Sequence, residues 1–140
     1  MKPAPFTLAL PALLLALAAL PGCFGGGSSE ITEGPAYPFI TQTETLDIQV
    51  FRDSTTLSFT NTSARVFPAA RLWLNREFHR DIDGLAIGQT LTLALATFVD
   101  QYGTPFRSGG FFATEAPDKV VLAQLELDGK MLGLITVENK

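Results

Sequence analysis

From Thr45 onward, apolar and polar residues alternate in short runs separated by turn formers. Leu46, Ile48 and Val50 alternate with Asp47, Gln49 and Arg52, which reads as a half-buried strand. After a turn at Asp53-Ser54, Leu57 and Phe59 alternate with Thr56, Ser58 and Thr60. Asn61-Thr62-Ser63 is a polar turn, and Pro68 breaks the chain before Ala70–Leu74, where Leu72 and Leu74 face one way and Arg71 and Trp73 the other. Asn75 marks a tight turn into Glu77–Ile82. Gly84 and Gly88 bracket a further reversal before Leu91, Leu93 and Leu95. Ala86–Thr97 has some helical character, but its threonines and flanking glycines favour a strand. Phe98 and Val99 precede a polar corner at Asp100–Gly103. Last, Val120–Leu127 and Met131–Val137 flank Asp128-Gly129, the dipeptide suited to a two-residue type I′ turn because both central residues need φ > 0. About seven short strands at 8–12-residue spacing predict an all-β, antiparallel sandwich spanning residues 44–140.

Before Thr45 the pattern changes twice. Met1-Lys2 and the Leu/Ala-rich run Phe6–Leu20 have the layout of a secretory signal. A membrane-spanning helix needs about 20 apolar residues, and Pro11 and Pro21 interrupt this run, so cleavage is the expected fate. Phe24–Thr43, with Gly25-Gly26-Gly27-Ser28-Ser29 in it, holds no sustained period and reads as a tether. About 20 residues of random coil would reach about 25 Å. Within it, Pro35–Ile40 is too apolar for a plain spacer and is expected to dock on the domain as a first strand or a covering strip. The expected organisation is a signal peptide at 1–22, a modified Cys23 with its linker at 23–43, and the β-domain at 44–140.

Two resemblances attach to particular residues. Leu20-Pro21-Gly22-Cys23 resembles the lipobox of bacterial lipoproteins, with Pro in place of the more usual Ala or Ser. That resemblance implies a diacylglyceryl thioether on Cys23, cleavage after Gly22, acylation of the new amino terminus and a membrane held through lipid. Phe24 rather than Asp after the cysteine implies outer-membrane sorting if the cell has two membranes. The alternative is cleavage after Ala18 with Cys23 left as a free thiol. The second resemblance runs from about Leu46 to Gly103. Leu57–Asn61, Arg71–Asn75, Phe78, Ile87-Gly88, Leu91–Leu95, Phe98-x-Asp100 and Gly103 look like the immunoglobulin or fibronectin-III-like modules of bacterial envelope proteins, which implies an immunoglobulin-like sandwich.

Composition narrows the function classes. Removing Lys2 with the leader leaves nine basic residues against fourteen acidic ones, a net charge of −5. An acidic chain without a Lys/Arg cluster argues against nucleic-acid binding. One Cys and one His exclude an internal disulfide and the common Cys/His zinc cages, and no cofactor or metal is expected. No nucleophile elbow, phosphate-binding loop or dinucleotide fingerprint is present.

The remaining candidates are few. Glu77, His79, Asp81 and Asp83 would share one strand face, about 7 Å apart, and could form an acid/base or metal-dependent hydrolase site if other strands supplied partners. The plainer reading is a solvated face with Phe78 and Ile82 inward. Asp81-Ile82-Asp83-Gly84 starts like a calcium loop but lacks the later ligands. Gly103–Pro117 is a long loop with Phe106, Phe111 and Phe112, and long loops in compact domains tend to be functional. Trp73, Phe106, Phe111 and Phe112 are therefore the expected contact residues. The leading expectation is a non-enzymatic, lipid-anchored envelope module that binds or scaffolds. The alternatives are the His79/Asp81/Glu77 hydrolase and a subunit of a larger envelope complex that takes a partner strand on an open sheet edge.

Overall fold

The computed structural model describes Met1 and residues 33–138. The leader, the lipobox and Cys23 lie outside the described residues. Seven strands form: β1 (Gln42–Asp53), β2 (Thr56–Thr60), β3 (Ala70–Leu74), β4 (Phe78–Ile82), β5 (Thr90–Ala94), β6 (Ala123–Leu127) and β7 (Lys130–Val137). A single 3₁₀ turn, Leu95–Thr97, follows β5. The strands make one sheet in the order β4-β3-β6-β7-β1-β2-β5. The all-β expectation is met, but the sheet is mixed: β1 pairs with β7 in parallel, and every other pair is antiparallel. The parallel pair carries no local signature, because it joins the first strand to the last.

The sheet curls upon itself. Its edge strands lie at opposite ends of the strand order, yet Phe78 and Ile82 of β4 and Leu93 of β5 belong to one buried cluster. Period-two alternation supplies that core. Leu46, Ile48 and Val50 face inward from β1, Leu57 and Phe59 from β2, Leu72 and Leu74 from β3, and Leu125 from β6. Each such side chain, fully withdrawn from water, contributes about 1.5–3 kcal/mol relative to exposure. Leu95 and Phe98 come from outside the strands and close the gap between the edges. There the backbone of His79 exchanges hydrogen bonds with Val99 at 2.8 and 3.1 Å, so the outer edge of β4 is partly covered.

Local chemistry explains the reversals. Asp128 and Gly129 take φ of 49° and 70° between β6 and β7, as a type I′ turn requires. Asn75 and Arg76 do the same between β3 and β4, closed by Glu77 N–H donating to the Leu74 carbonyl at 3.0 Å. Asn61 is buried, and its carboxamide donates to the Arg65 and Leu85 carbonyls and accepts from Ser63. It is a structural turn residue. Among the described residues no helix is long and apolar enough to cross a membrane.

The turns sort into two ends. At one end lie the β1–β2 turn, the β3–β4 turn, the 3₁₀ turn and the whole connection from Phe98 to Leu122. At the other lie the connections β2–β3 and β4–β5, the β6–β7 turn and the start of β1.

Candidate functional site

The outward face of β3, β4, β6 and β7 is not left to water. Strand register places His79, Trp73, Gln124 and Gly133 in a row across it. Residues 33–41 run over this row, as the covering strip expected from Pro35–Ile40. Gly34 N–H donates to the Gln101 carbonyl at 2.6 Å at one end of the strip. In the middle, Tyr37 packs edge-on against Trp73, 5.3 Å between centroids, and its hydroxyl donates to Gln124 Oε1 at 2.8 Å. At the far end Gln42 enters β1 opposite Met131. Its side chain accepts from Gln124 Nε2 at 2.8 Å and lies directly over Gly133, where a Cβ would collide with the Gln42 carboxamide. Tyr37, Trp73 and Met131 thus form a second, smaller core outside the sheet.

Trp73, expected as a contact residue, is 1 % exposed and serves the fold. Its indole N–H donates to Glu126 Oε2 at 2.7 Å. The neighbouring His79 ring is 5.1 Å from the indole and buried, and a side chain at the strip's Gly34 would come into contact with its Cε1. Nδ1 of His79 has no hydrogen-bond partner. Desolvation, helped by the Arg71 charge, pushes its pKa below the usual histidine value, against the pull of Asp81, Val99 and Asp100. Asp81 does share the face with His79, but its carboxylate is held by Arg71 at 2.7 and 3.2 Å, and that hydrogen bonding lowers its pKa. Glu77 has left the strand for the turn and is exposed. The three are not gathered around a cavity. Among the described residues no three His, Cys, Asp or Glu side chains could jointly hold a metal ion.

The Gly103–Pro117 loop divides its phenylalanines. Phe106 is 1 % exposed and stacks edge-on against Phe78 at 5.0 Å, so it belongs to the main core. This corrects its reading as a contact residue: the Phe106 N–H donates to the Phe98 carbonyl at 2.8 Å and draws the ring inward. Beyond it the loop narrows to a neck. Arg107 grips Asp118 through Nη2 at 2.5 Å and Nε at 2.9 Å, and its backbone N–H reaches Oδ2 at 3.1 Å. The Arg107 hydrogen bonds hold the Asp118 carboxylate below its usual pKa, with Arg52 adding to the effect. Arg52 crosses from β1 to bind the Ser108 carbonyl at 2.8 Å and the Asp118 carbonyl, its guanidinium 5.9 Å from the Phe106 ring.

Past the neck, Gly109 takes the left-handed φ of 80° that favours glycine, close against Pro117, and an Ala113 N–H to Gly110 carbonyl bond of 3.1 Å closes the tip. The tip presents Phe111 and Phe112, 96 % and 90 % exposed, with their rings at right angles and 5.0 Å apart. Of the four expected contact residues, these two stand in solvent. Arg52 and Gln124 had not been singled out from the sequence. Gly133 inside a strand was the one available hint that another segment comes close there.

Comparison of the chain with known family models, with characterised proteins and with solved structures finds no match.

Proposed function

We propose that this protein is a lipid-anchored module of the cell envelope that acts by binding or scaffolding, and that its contact element is the Phe111-Phe112 tip. The observation that carries the reading is the pair of nearly bare aromatic rings held out on a clamped neck. Exposing apolar rings to water is unfavourable, and the fold has inward routes for such rings, as Phe106 shows five residues earlier. Rings left outside on a fixed support suit a surface that covers them.

Two further readings belong with this one. The curled sheet is an immunoglobulin-like sandwich, with β4-β3-β6-β7 as one layer, β2-β5 as the other and the long β1 passing between them; the strand order and the register shift in β1 between Thr45 and Gln49 support it. The anchor is a thioether on Cys23, supported by the lipobox-like Leu20–Cys23 and the Gly/Ser run behind it.

Mass spectrometry of the mature amino-terminal peptide tests the anchor, which requires a diacylglyceryl-modified Cys23. Photo-crosslinking in intact cells from Ala113, beside the rings, tests the contact element. The expected result is an adduct formed from Ala113 and lost in the Phe111→Ser/Phe112→Ser double variant. Equal adduct yield from Ala113 and from Lys130 at the opposite end contradicts it.

A further inference from the structure

We infer that the Phe111-Phe112 tip faces the protein's own membrane and seats its rings in the lipid headgroup interface. This rests on the lipid-anchor reading above and names the partner of the same element. The argument is the direction of the strip. β1 starts at the end of the sheet that carries the β6–β7 turn, so a chain leading straight into it would hang the domain from that end. The strip instead turns across the strands. From Gln42 back through Tyr37 to Gly34 it crosses the whole outer face and leaves the domain beside Gln101. Arg76, Glu77, Asp100 and Tyr102 line the same hollow as Ala36 and Tyr37, so the exit is at the end where β3 turns into β4. The Arg107–Asp118 neck stands at that end too, sharing a hollow with Asn75, Glu77 and Asp100. The tether and the aromatic tip therefore leave the domain from one end.

The chain length makes this placement consequential. Ten residues lie between Cys23 and Gly34, a reach of about 40 Å at most when fully extended. A domain leashed that closely presents its tethered end to the bilayer. The exposed side chains there fit an interface: Tyr102, Phe111 and Phe112 are aromatic and stand with the aliphatic Val121, whereas the exposed large apolar residues in the opposite-end connections, Val66 and Ile87, include no ring. Aromatic rings favour the headgroup level of a membrane. Acidic residues, Glu138 among them, outnumber Arg52, Arg76, Arg107 and Lys119 at this end, so it offers an anionic bilayer no net electrostatic attraction; the contact is apolar and high salt does not weaken it.

The test uses the full chain, processed in cells and reconstituted in phosphatidylethanolamine/phosphatidylglycerol vesicles that contain a headgroup-level nitroxide lipid. Thr114→Cys places a fluorescent label beside the rings, and Lys130→Cys places one at the opposite end. Both positions are exposed. The label at 114 should be quenched several-fold more than the label at 130, with no loss at high salt. The Phe111→Ser/Phe112→Ser change should bring it down to the level at 130 while the protein stays on the vesicles. Equal quenching at the two positions, or quenching at 114 that ignores the loss of both rings, overturns the inference and leaves the anchor standing. Unquenched 114 together with a crosslink from Ala113 to a protein also overturns it, in favour of a protein partner. Failure of the anchor shows separately, as Cys23→Ser protein that remains on the vesicles.

Discussion

Among the described residues, two irregular segments carry most of the aromatic side chains that lie outside the strands, and the rings at their centres meet opposite fates. The strip at residues 33–41 lays Tyr37 onto Trp73 and buries both, while its Phe39 stays exposed, edge-on to Tyr37 at 5.1 Å. The loop Gly103–Pro117 buries Phe106 at its base and leaves Phe111 and Phe112 bare at its tip. The difference lies in polar partners. Tyr37 has Gln124 waiting beneath it, and Gln124 in turn has Gln42, so the docked strip leaves no hydroxyl or carboxamide unsatisfied along that path. At the loop the polar bonds act across the neck, Arg107 to Asp118 and Arg52 to two carbonyls, and hold the tip away from the sheet. Tyr37 is cement beneath the strip, whereas Phe111 and Phe112 are a presented surface.

The largest effect is expected where the two layers of the strip meet. Trp73→Ala removes the centre of the second core and should cost about 3–5 kcal/mol in denaturant unfolding. Tyr37→Ala should cost about 2 kcal/mol and release the strip, read as faster amide exchange over residues 33–41 and a more exposed indole in Trp73 fluorescence. A loss as large as that of Trp73→Ala would mean that the strip is integral to the main core rather than laid upon it.

The pH dependence follows from His79 beneath the strip. Its folded pKa lies below its unfolded value of about 6.5, so between the two the unfolded chain binds more protons. Stability should therefore fall as the pH drops through the unfolded value, and His79→Gln should flatten that slope. Asp81 and Asp118 have lowered pKa values, so their contribution is present above the ordinary carboxylate range and is lost as the pH falls through their folded values. Acid titration of the Gln variant should keep this lower step.

The smallest global effects belong to the loop. Asp118→Ala should barely move the unfolding midpoint but should speed chymotrypsin cleavage at Phe111 and Phe112, because it frees the neck. Phe111→Ser/Phe112→Ser should change stability by less than about 0.5 kcal/mol, as expected of side chains that touch little but each other.

Much of this was legible in the chain because it is local. Alternation placed Ala70–Leu74 and the opposed faces of Leu72 and Trp73, and Asp128-Gly129 fixed the last hairpin. Pro35–Ile40 stood out as apolar in an otherwise polar tether. The rest depends on partners distant in sequence. The parallel pairing of β1 with β7 joins residues nearly ninety positions apart, as in Gln42 with Met131. Leu95–Thr97 continues the alternation by letter but turns as a 3₁₀ segment, because Leu95 must drop into the core between the sheet edges. The burial of Trp73 and His79 is decided by a strip that strand periodicity does not see. Three phenylalanines within seven residues look alike as letters. Only the neck, which brings Arg52 from β1 to the loop, separates Phe106 from Phe111 and Phe112.

The most direct test of the account is hydrogen exchange of the full, lipidated chain on vesicles, comparing the native sequence with Phe111→Ser/Phe112→Ser. The account predicts that residues 108–116 exchange more slowly in the native protein and that residues 33–41 are unchanged between the two. Identical exchange of the tip in both proteins would contradict a membrane-seated loop.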